Sequence, residues 1–264
     1  MENFNYVRPG KVSDAVKAMR KAKDGKYMSG GMTLLPALKQ GLASPTDIVD
    51  LGGLKNAGIK VGGKSVTIAA GTTHAEVTGS KDLKKAIPGL AKLAGGIGDP
   101  HVRNRGTIGG SVANNDPAAD YPSACLALGA TIHTSDRKLA ADKFFTGMFS
   151  TALKGSEVIS AVEFPIPKKS GYAKFPNPAS LYAMVGVFVA QMGDGSVRVA
   201  VTGAGPAVFR VPDMEAALSK SFTAKALDGI AVKSKGLNND MHASADYRAH
   251  LITVMAKRAV DAAK

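Results

Sequence analysis

The sequence predicts an α+β protein built from small units in series, and three observations support this. Helix-like and strand-like segments alternate through the first fifty residues, which indicates a small α/β unit. Further along, a Gly62-Gly63 turn separates two short strand-like segments, as in a β-hairpin. After residue 168, two apolar runs separated by Gly-Asp-Gly indicate an antiparallel meander, which the helical patterns that follow would cover.

The individual elements have recognisable signals. Ala15, Ala18, Met19 and Ala22 recur at helical spacing after a capping Ser13, so the first helix begins there. Further helices or helical turns are predicted over 32–39, from 72, and over 88–94, 117–128, 212–218, 222–232 and 247–263. Strands are predicted at 27–28, 47–51, 59–61, 65–69, 130–134, 157–164, 181–192 and 197–202.

Composition limits the class of protein. A chain of 264 residues with 45% hydrophobic and 21% charged residues can bury a sizeable core. No run of 18 apolar residues exists, so no membrane span is predicted. The first residues lack a basic stretch followed by an apolar one, so we expect a cytoplasmic protein.

The net charge and the cysteine content limit the classes of partner and cofactor that the chain could bind. The formal net charge of +13 is compatible with nucleic acid, an acidic partner or a phosphate-bearing ligand. The lysines are scattered and tryptophan is absent, which argues against a nucleic-acid stacking surface. The single Cys125 can form no internal disulfide and cannot hold an iron–sulfur cluster, so any cluster must lie on another chain.

One glycine-rich stretch, residues 97–120, carries most of the functional information. It has no hydrophobic period, so it is predicted to be neither a good strand nor a good helix. Its glycines allow a ligand to approach the backbone, and its hydroxyl, amide and carboxylate groups could bind a phosphate or a polyol. From the residues alone, this stretch is either a ligand-binding segment or a structural surface loop.

A second glycine turn, Ser29-Gly30-Gly31, lies between a short strand and a helical turn and could be another phosphate cradle. It matches neither the P-loop nor the Rossmann fingerprint, and a simple tight turn is the alternative. His74 is isolated from any base–nucleophile arrangement, which favours a capping or packing role over catalysis.

Taken together, these motifs resemble the FAD-binding medium subunit of molybdenum hydroxylases, the group that includes carbon monoxide dehydrogenase and the flavin domain of xanthine dehydrogenase. The resemblance rests on Ser29–Pro36, Ile97–Ser111, Asp116–Asp120 and, in the C-terminal part, Tyr172–Lys174, Tyr182–Gly186 and His242–Leu251. It covers nearly the whole chain in order. Met32 and Leu181 depart from the polar and acidic residues that family members often have there.

The resemblance implies a vanillyl-alcohol-oxidase-like (PCMH-type) FAD-binding fold, with two α/β subdomains over 1–56 and 57–168 and a C-terminal α+β domain over 169–264. It also implies that both glycine turns meet around one pyrophosphate. The implied FAD-binding residues are Met28, Ser29, Gly30, Gly31, Met32, Thr33, Leu34, Ile97, Thr107, Gly109, Gly110, Ser111, Asn114, Asp116, Asp120, Ile159, Lys174 and Tyr182.

Several of these residues have implied roles. Residues 29–33 would hold the pyrophosphate from one side, and Thr107 with residues 109–111 would hold it from the other. Asp120 would accept hydrogen bonds from the ribityl chain, and Ile97 would pack near the adenosine. Val158 or Ile159 would meet the isoalloxazine or the adenine. Lys174 would place a cation near the flavin, and Tyr182 would cover its ring, although by default these two would be a surface lysine and a core aromatic.

The function implied by the resemblance is electron transfer. A small 2Fe–2S subunit and a large molybdenum-cofactor subunit would be the partners, in a dimer of heterotrimers, and NAD, a quinone or another molecule would accept the electrons. No catalytic side chain and no metal ligand is predicted on this chain, because the flavin carries the chemistry. The alternatives are a standalone flavin oxidase and a basic nucleic-acid-binding module without a cofactor.

Overall fold

The computed structural model describes residues 2–264, and its first sheet is parallel. This N-terminal sheet has the strand order β1-β3-β2, and a helix connects each pair of successive strands because parallel neighbours need a crossover. Its elements are β1 (Asn5–Val7), α1 (Val12–Lys21), β2 (Gly25–Met28), α2 (Leu34–Lys39) and β3 (Asp47–Asp50). The predicted first helix and the predicted strand at 47–51 are confirmed. The expected cap at Ser13 is wrong, because α1 begins at Val12 with Lys11 as its N-cap residue and no side chain caps it.

The second sheet, the middle sheet, is antiparallel with the order β4-β5-β10-β6-β7. Its strands and the adjoining small hairpin are β4 (Ile59–Val61), β5 (Ser65–Ala69), β6 (Thr131–Thr134), β7 (Lys138–Ala140), β8 (Phe145–Gly147), β9 (Ser150–Thr151) and β10 (Ile159–Pro165). The β4–β5 hairpin forms around Gly62-Gly63 as the sequence predicts.

Six short helices lie between β5 and β6. They are α3 (His74–Gly79), α4 (Lys81–Ala86), α5 (Pro88–Gly95), α6 (Pro100–Arg105), α7 (Ile108–Asn114) and α8 (Tyr121–Ala127). A capping box starts α3. The Glu76 backbone amide donates a hydrogen bond to the Thr73 hydroxyl, and the Thr73 backbone amide donates one to the Glu76 carboxylate. The packed side chains between these helices and the middle sheet include the buried thiol of Cys125.

The C-terminal sheet is the predicted meander, β11-β12-β13-β14. Its elements are β11 (Lys169–Pro176), β12 (Ala183–Gln191), β13 (Val197–Thr202), β14 (Phe209–Arg210), α9 (Pro212–Lys220) and α10 (Ala245–Asp261). Alternate residues of β12 face two cores: Val187 packs with the core under α9 and α10, and Phe188 packs with the core under α5 and α8. A strand that is buried on both faces explains the uninterrupted apolar run.

Two expectations about secondary structure are wrong. The glycine-rich stretch contains two helices, α6 and α7, which begin at the capping side chains of Asp99 and Thr107. The predicted helix over 222–232 is only a 3₁₀ turn, Ala224–Leu227, and the chain turns away at Gly229, where φ is +78°. Among residues 2–264, no helix has both the length and the apolar character that crossing a membrane requires.

Candidate functional site

The two glycine turns meet in space. The first, residues 29–33, lies between β2 and α2. The second, residues 106–111, comprises the link from α6 to α7 and the first turn of α7. Gly30 lies so close to the second turn that a Cβ atom there would fall on the carbonyl oxygen of Arg105, so only glycine fits. The Ser29 and Thr107 hydroxyl oxygens are 2.9 Å apart and hydrogen-bonded, although 78 positions separate them in the chain.

A cavity of about 610 Å³ opens beside this crossing. Its volume lies within the range of roughly 300–1,000 Å³ that is typical of ligand and cofactor sites. Seventeen of the eighteen predicted site residues line it, namely Met28, Ser29, Gly30, Gly31, Met32, Thr33, Leu34, Ile97, Thr107, Gly109, Gly110, Ser111, Asn114, Asp116, Asp120, Ile159 and Tyr182. The sequence therefore identifies the residues that come together, while their individual roles stay predictions.

The backbone amides of the two turns differ. Within residues 2–264, none of the four amides from Gly30 to Thr33 donates a hydrogen bond to the protein. In the second turn, by contrast, the Gly109 amide donates to the Ala70 carbonyl at 2.9 Å and the Gly110 amide donates to Thr107 Oγ1 at 3.1 Å. The first turn thus carries the open donors that an anionic ligand needs.

Asp120 brings a buried carboxylate to the cavity wall. The Tyr172 hydroxyl donates to its Oδ1, and the Lys174 ammonium lies 3.0 Å from the same oxygen and 3.3 Å from Oδ2. Burial raises the pKa of Asp120, while the charge of Lys174 and the bond from Tyr172 oppose that rise. Oδ2 keeps lone pairs that could accept a further hydrogen bond from a ligand.

Lys174 is the one predicted site residue that does not line the cavity. Its ammonium also donates to the Gly96 carbonyl at 2.6 Å and to the Leu181 carbonyl at 3.0 Å. All three donors of the ammonium therefore have protein acceptors. In the structure this charge lies against Asp120, and the expectation that Lys174 places a cation near the flavin stays a prediction.

The opposite side of the cavity is more apolar. Ile97, Val158 and Ile159 contribute aliphatic side chains, and Ile159 is buried. Tyr182 lines the cavity with about half of its surface exposed. Partial burial is the main reason that the pKa of Tyr182 is raised. The cavity thus combines an amide-rich wall with aliphatic and aromatic surface.

Comparison with known proteins identifies the family. Residues 2–167 match the model of the FAD binding domain in molybdopterin dehydrogenase. The chain belongs to this family. It is 32% identical to the nicotine 6-hydroxylase medium subunit of Paenarthrobacter nicotinovorans, over 97% of this chain and 96% of that protein. It is also 32% identical to the carbon monoxide dehydrogenase medium chain of Afipia carboxidovorans, over 99% and 97% of the two chains.

A solved structure agrees with this assignment. A chain of reconstituted CO dehydrogenase from Oligotropha carboxidovorans superposes with a TM-score of 0.89 at 29% identity, and the match covers 99% of this chain and 97% of that one. The fold is therefore the predicted PCMH-type FAD-binding fold, and this member of the family is an FAD-binding oxidoreductase subunit. The cavity suits FAD because its volume is adequate and one part of its wall is a glycine turn with open amides.

Three residues that line the cavity, His74, Glu157 and Phe149, were not predicted as site residues. His74 lies behind the second turn, where its backbone amide donates to the Gly106 carbonyl at 3.0 Å and its ring packs on Tyr121. The expected packing role of His74 is confirmed, and burial lowers its pKa to about 4. Glu157 accepts two hydrogen bonds from Arg137, the main reason that its pKa is lowered to about 2.

Phe149 is the third residue, and it sits at the tip of the β8–β9 hairpin. Its backbone φ is +50°, a conformation that is uncommon for an aromatic residue. Asn115 holds the hairpin there, because its side-chain amide donates to the Gly147 and Ser150 carbonyls, each at 2.8 Å. These three residues were missed for the same reason. Each is brought to the cavity by contacts between distant segments, and no local pattern in the sequence indicates such contacts.

Proposed function

We propose that this cavity holds one FAD, with the pyrophosphate at residues 30–33. A single observation carries the proposal: four consecutive amides without a protein acceptor line a cavity at the place where two glycine turns cross. A diphosphate is the part of FAD that needs several converging N–H donors, and α2 begins directly after them. Side chains are secondary at this wall because the backbone supplies the donors.

The second turn has a different proposed role. Its amides already have acceptors, so Thr107 and Ser111 would contribute hydroxyl groups, and the glycines would allow close approach of the cofactor. Asp120 would accept a hydrogen bond from a hydroxyl of the ribityl chain through Oδ2. Tyr182, Ile97 and Ile159 would exclude water from the aromatic portions of the cofactor. No nucleophile or general base is assigned to this chain.

Bound FAD supplies the redox chemistry, since a flavin can accept two electrons together and release them singly. The contribution of the chain is to bind the cofactor, to orient it and to limit its exposure to solvent. From the family we infer that the chain links iron–sulfur clusters to an external acceptor. Those clusters would lie on partner chains, because a single cysteine cannot ligate one.

We propose the partners from the family. A small 2Fe–2S subunit and a large molybdenum-cofactor subunit would complete the complex as a dimer of heterotrimers in the cytoplasm. NAD, a quinone or another molecule would accept the electrons. Co-purification of the tagged full chain, with molybdenum and iron measured in the product, tests this assembly; recovery without either metal would contradict it.

FAD titration of the purified full chain tests the cofactor assignment. We expect a yellow protein, or an apo protein that acquires the flavin absorption bands and quenches flavin fluorescence when FAD is added. FMN serves as a control because it lacks the pyrophosphate, and it should bind much more weakly. A chain that stays colourless in excess FAD would refute the proposal, and equal affinity for FMN would refute the role of residues 30–33.

A further inference from the structure

The Lys174 ammonium joins three separate segments around the cavity. It donates to the Gly96 carbonyl at 2.6 Å and to the Leu181 carbonyl at 3.0 Å, and it pairs with the Asp120 carboxylate at 3.0 Å. Gly96 precedes Ile97, and Asp120, Leu181 and Ile97 all line the cavity. One side chain of β11 is thus bonded to three parts of the cavity wall.

The geometry leaves Lys174 little freedom. Its side chain is only 9% exposed, and an ammonium has three N–H donors, which equals the number of segments it contacts. A buried ammonium whose donors all have acceptors is held firmly, because leaving any of these acceptors unpaired would be costly. The side chain is therefore suited to fixing the wall, and not to reaching into the cavity.

One of the three segments needs such support. Leu181 has a φ of +61°, which is unfavourable for a residue with a bulky side chain. The loop over 177–182 is closed by backbone bonds from Asn177 to Tyr182 at 2.8 Å and from Leu181 to Asn177 at 2.9 Å. Among residues 2–264, Lys174 Nζ is the side-chain donor to the Leu181 carbonyl. This bond ties the loop to the rest of the cavity wall.

We propose that Lys174 is a positioning residue that holds the 177–182 loop and the Gly96 turn against the FAD cavity, so that Leu181 and Tyr182 stay in place at its wall. This inference rests on the proposed function. It assigns the lysine to the protein around the cofactor, and the cofactor itself receives no bond from it. Asp120 is the anchor that holds the ammonium at the centre of the three segments.

A purely electrostatic role makes a different prediction. If Lys174 served only to neutralise Asp120, removing both charges together would restore normal behaviour. If Lys174 holds the loop, the two carbonyl bonds are lost whenever the ammonium is lost, whatever residue 120 is. The variants Lys174→Met and Lys174→Met with Asp120→Asn separate the two roles, and Lys168→Met, at an exposed lysine just before β11, is the matched control.

Hydrogen exchange of the apo full chain gives the first readout. The amides of Asn177 and Leu181 are protected by the loop bonds, so we expect them to exchange at least about tenfold faster in both the single and the double variant. Lys168→Met should exchange like the wild type. Asp120→Asn alone keeps both carbonyl bonds and should leave these two amides within about threefold of the wild type.

Titration with FAD across pH gives the second readout. Tyr172 and Lys174 of β11 contact Asp120, and the charge of Asp120 also acts on Tyr121 and Tyr182; Asp116 is a further charge beside Tyr182. Without Lys174 the buried carboxylate loses the cation that opposes the rise of its pKa, so the single variant should acquire a dissociation constant for FAD that depends on pH. The double variant should lose this dependence. It should still bind FAD about tenfold more weakly than Asp120→Asn alone, which is the reference because Asp120 itself has a proposed contact with the ribityl chain.

The outcomes are distinct. Wild-type exchange at Asn177 and Leu181 in Lys174→Met would overturn the positioning role. So would exchange and FAD affinity in the double variant that equal those of Asp120→Asn alone. If the wild-type chain fails to bind FAD, the proposed function is refuted, and the exchange measurement still decides whether Lys174 holds the loop. Should Lys174→Met not fold, Lys174→Arg, which keeps a cation with altered geometry, is measured in the same way.

Discussion

The two glycine turns look alike in sequence but differ in structure. The first turn leaves the amides of residues 30–33 without protein acceptors. In the second turn, the amides of residues 108–110 donate to the Thr72 carbonyl, the Ala70 carbonyl and the capping hydroxyl of Thr107. Both turns need glycine for close approach, but only the first offers a row of donors. A glycine-rich motif can therefore serve as a binding surface or as a supporting wall. Whether its backbone amides already have acceptors within the protein distinguishes the two roles.

Gly30→Val should have the largest effect, because its side chain would collide with backbone at the point where the turns cross. Overpacking of this kind costs about 1–3 kcal/mol, and separation of the turns should weaken FAD binding by about 100-fold or more. Urea unfolding and FAD titration measure the two effects. Gly10→Val is the control, since open space surrounds Gly10. Normal affinity in Gly30→Val would show that the crossing is dispensable.

Acidification should have the next largest effect, because it lowers the free energy of unfolding through His74, which packs behind the second glycine turn. The pKa of His74 is lowered to about 4 by burial and by Arg103, while an unfolded histidine titrates near 6.5. Because the unfolded chain takes up the proton first, the His74 contribution is complete above pH 6.5 and falls by about 3 kcal/mol by pH 4.

Urea unfolding at pH 7 and pH 4.5 measures this loss. His74→Asn should flatten the pH dependence, and His250→Asn, at an exposed position on α10, should leave it unchanged. An equal slope in the wild type and in His74→Asn would mean that other groups carry the acid sensitivity.

A double-mutant cycle on Ser29 and Thr107 should show a smaller effect. Thr107→Val removes the cap of α7 and should cost about 1 kcal/mol, and Ser29→Ala should cost less because it removes only the bond between the turns. The coupling free energy from urea unfolding should be about 0.5–1 kcal/mol. Additive costs would indicate that the turns are held together by backbone packing alone.

Met32→Ala should have the smallest effect. If the amides of the first turn are the donors, this side chain is dispensable, and FAD affinity should stay within about threefold of the wild type. Fluorescence titration provides the measurement. A tenfold loss would transfer the role from the backbone of residue 32 to its side chain.

Local patterns predicted much of this fold. The Gly62-Gly63 hairpin, the first helix and the C-terminal meander all follow from short-range periodicity and turn chemistry. Helices α6 and α7 were missed because each is only one to two turns long and rich in glycine or polar residues, so no apolar period is visible. They are stabilised by the caps at Asp99 and Thr107 and by burial of Ile108 and Val112.

For the site, the lining positions were predicted better than the contacts between them. The resemblance selected seventeen cavity-lining positions, because motifs around glycine turns are local in sequence. It did not predict the engagement of Lys174 with Gly96 and Leu181, or the position of Phe149 over the cavity. The bond to Gly96 joins residues 78 positions apart, and Asn115 holds the hairpin from 32 to 35 positions away, so a single sequence carries no signal for these pairs. The bond to Leu181 spans only seven positions, but it depends on the left-handed backbone of the 177–182 loop.

Burial of the single cysteine thiol affects how the protein resists oxidation. Reduced flavins generate peroxide in air, and peroxide attacks thiolates first. Cys125 has no exposed surface, and burial raises the pKa of its thiol, so both the formation of a thiolate and the access of an oxidant are disfavoured. Ageing in air should therefore spare this sulfur and begin at Met241, whose side chain is almost wholly solvated.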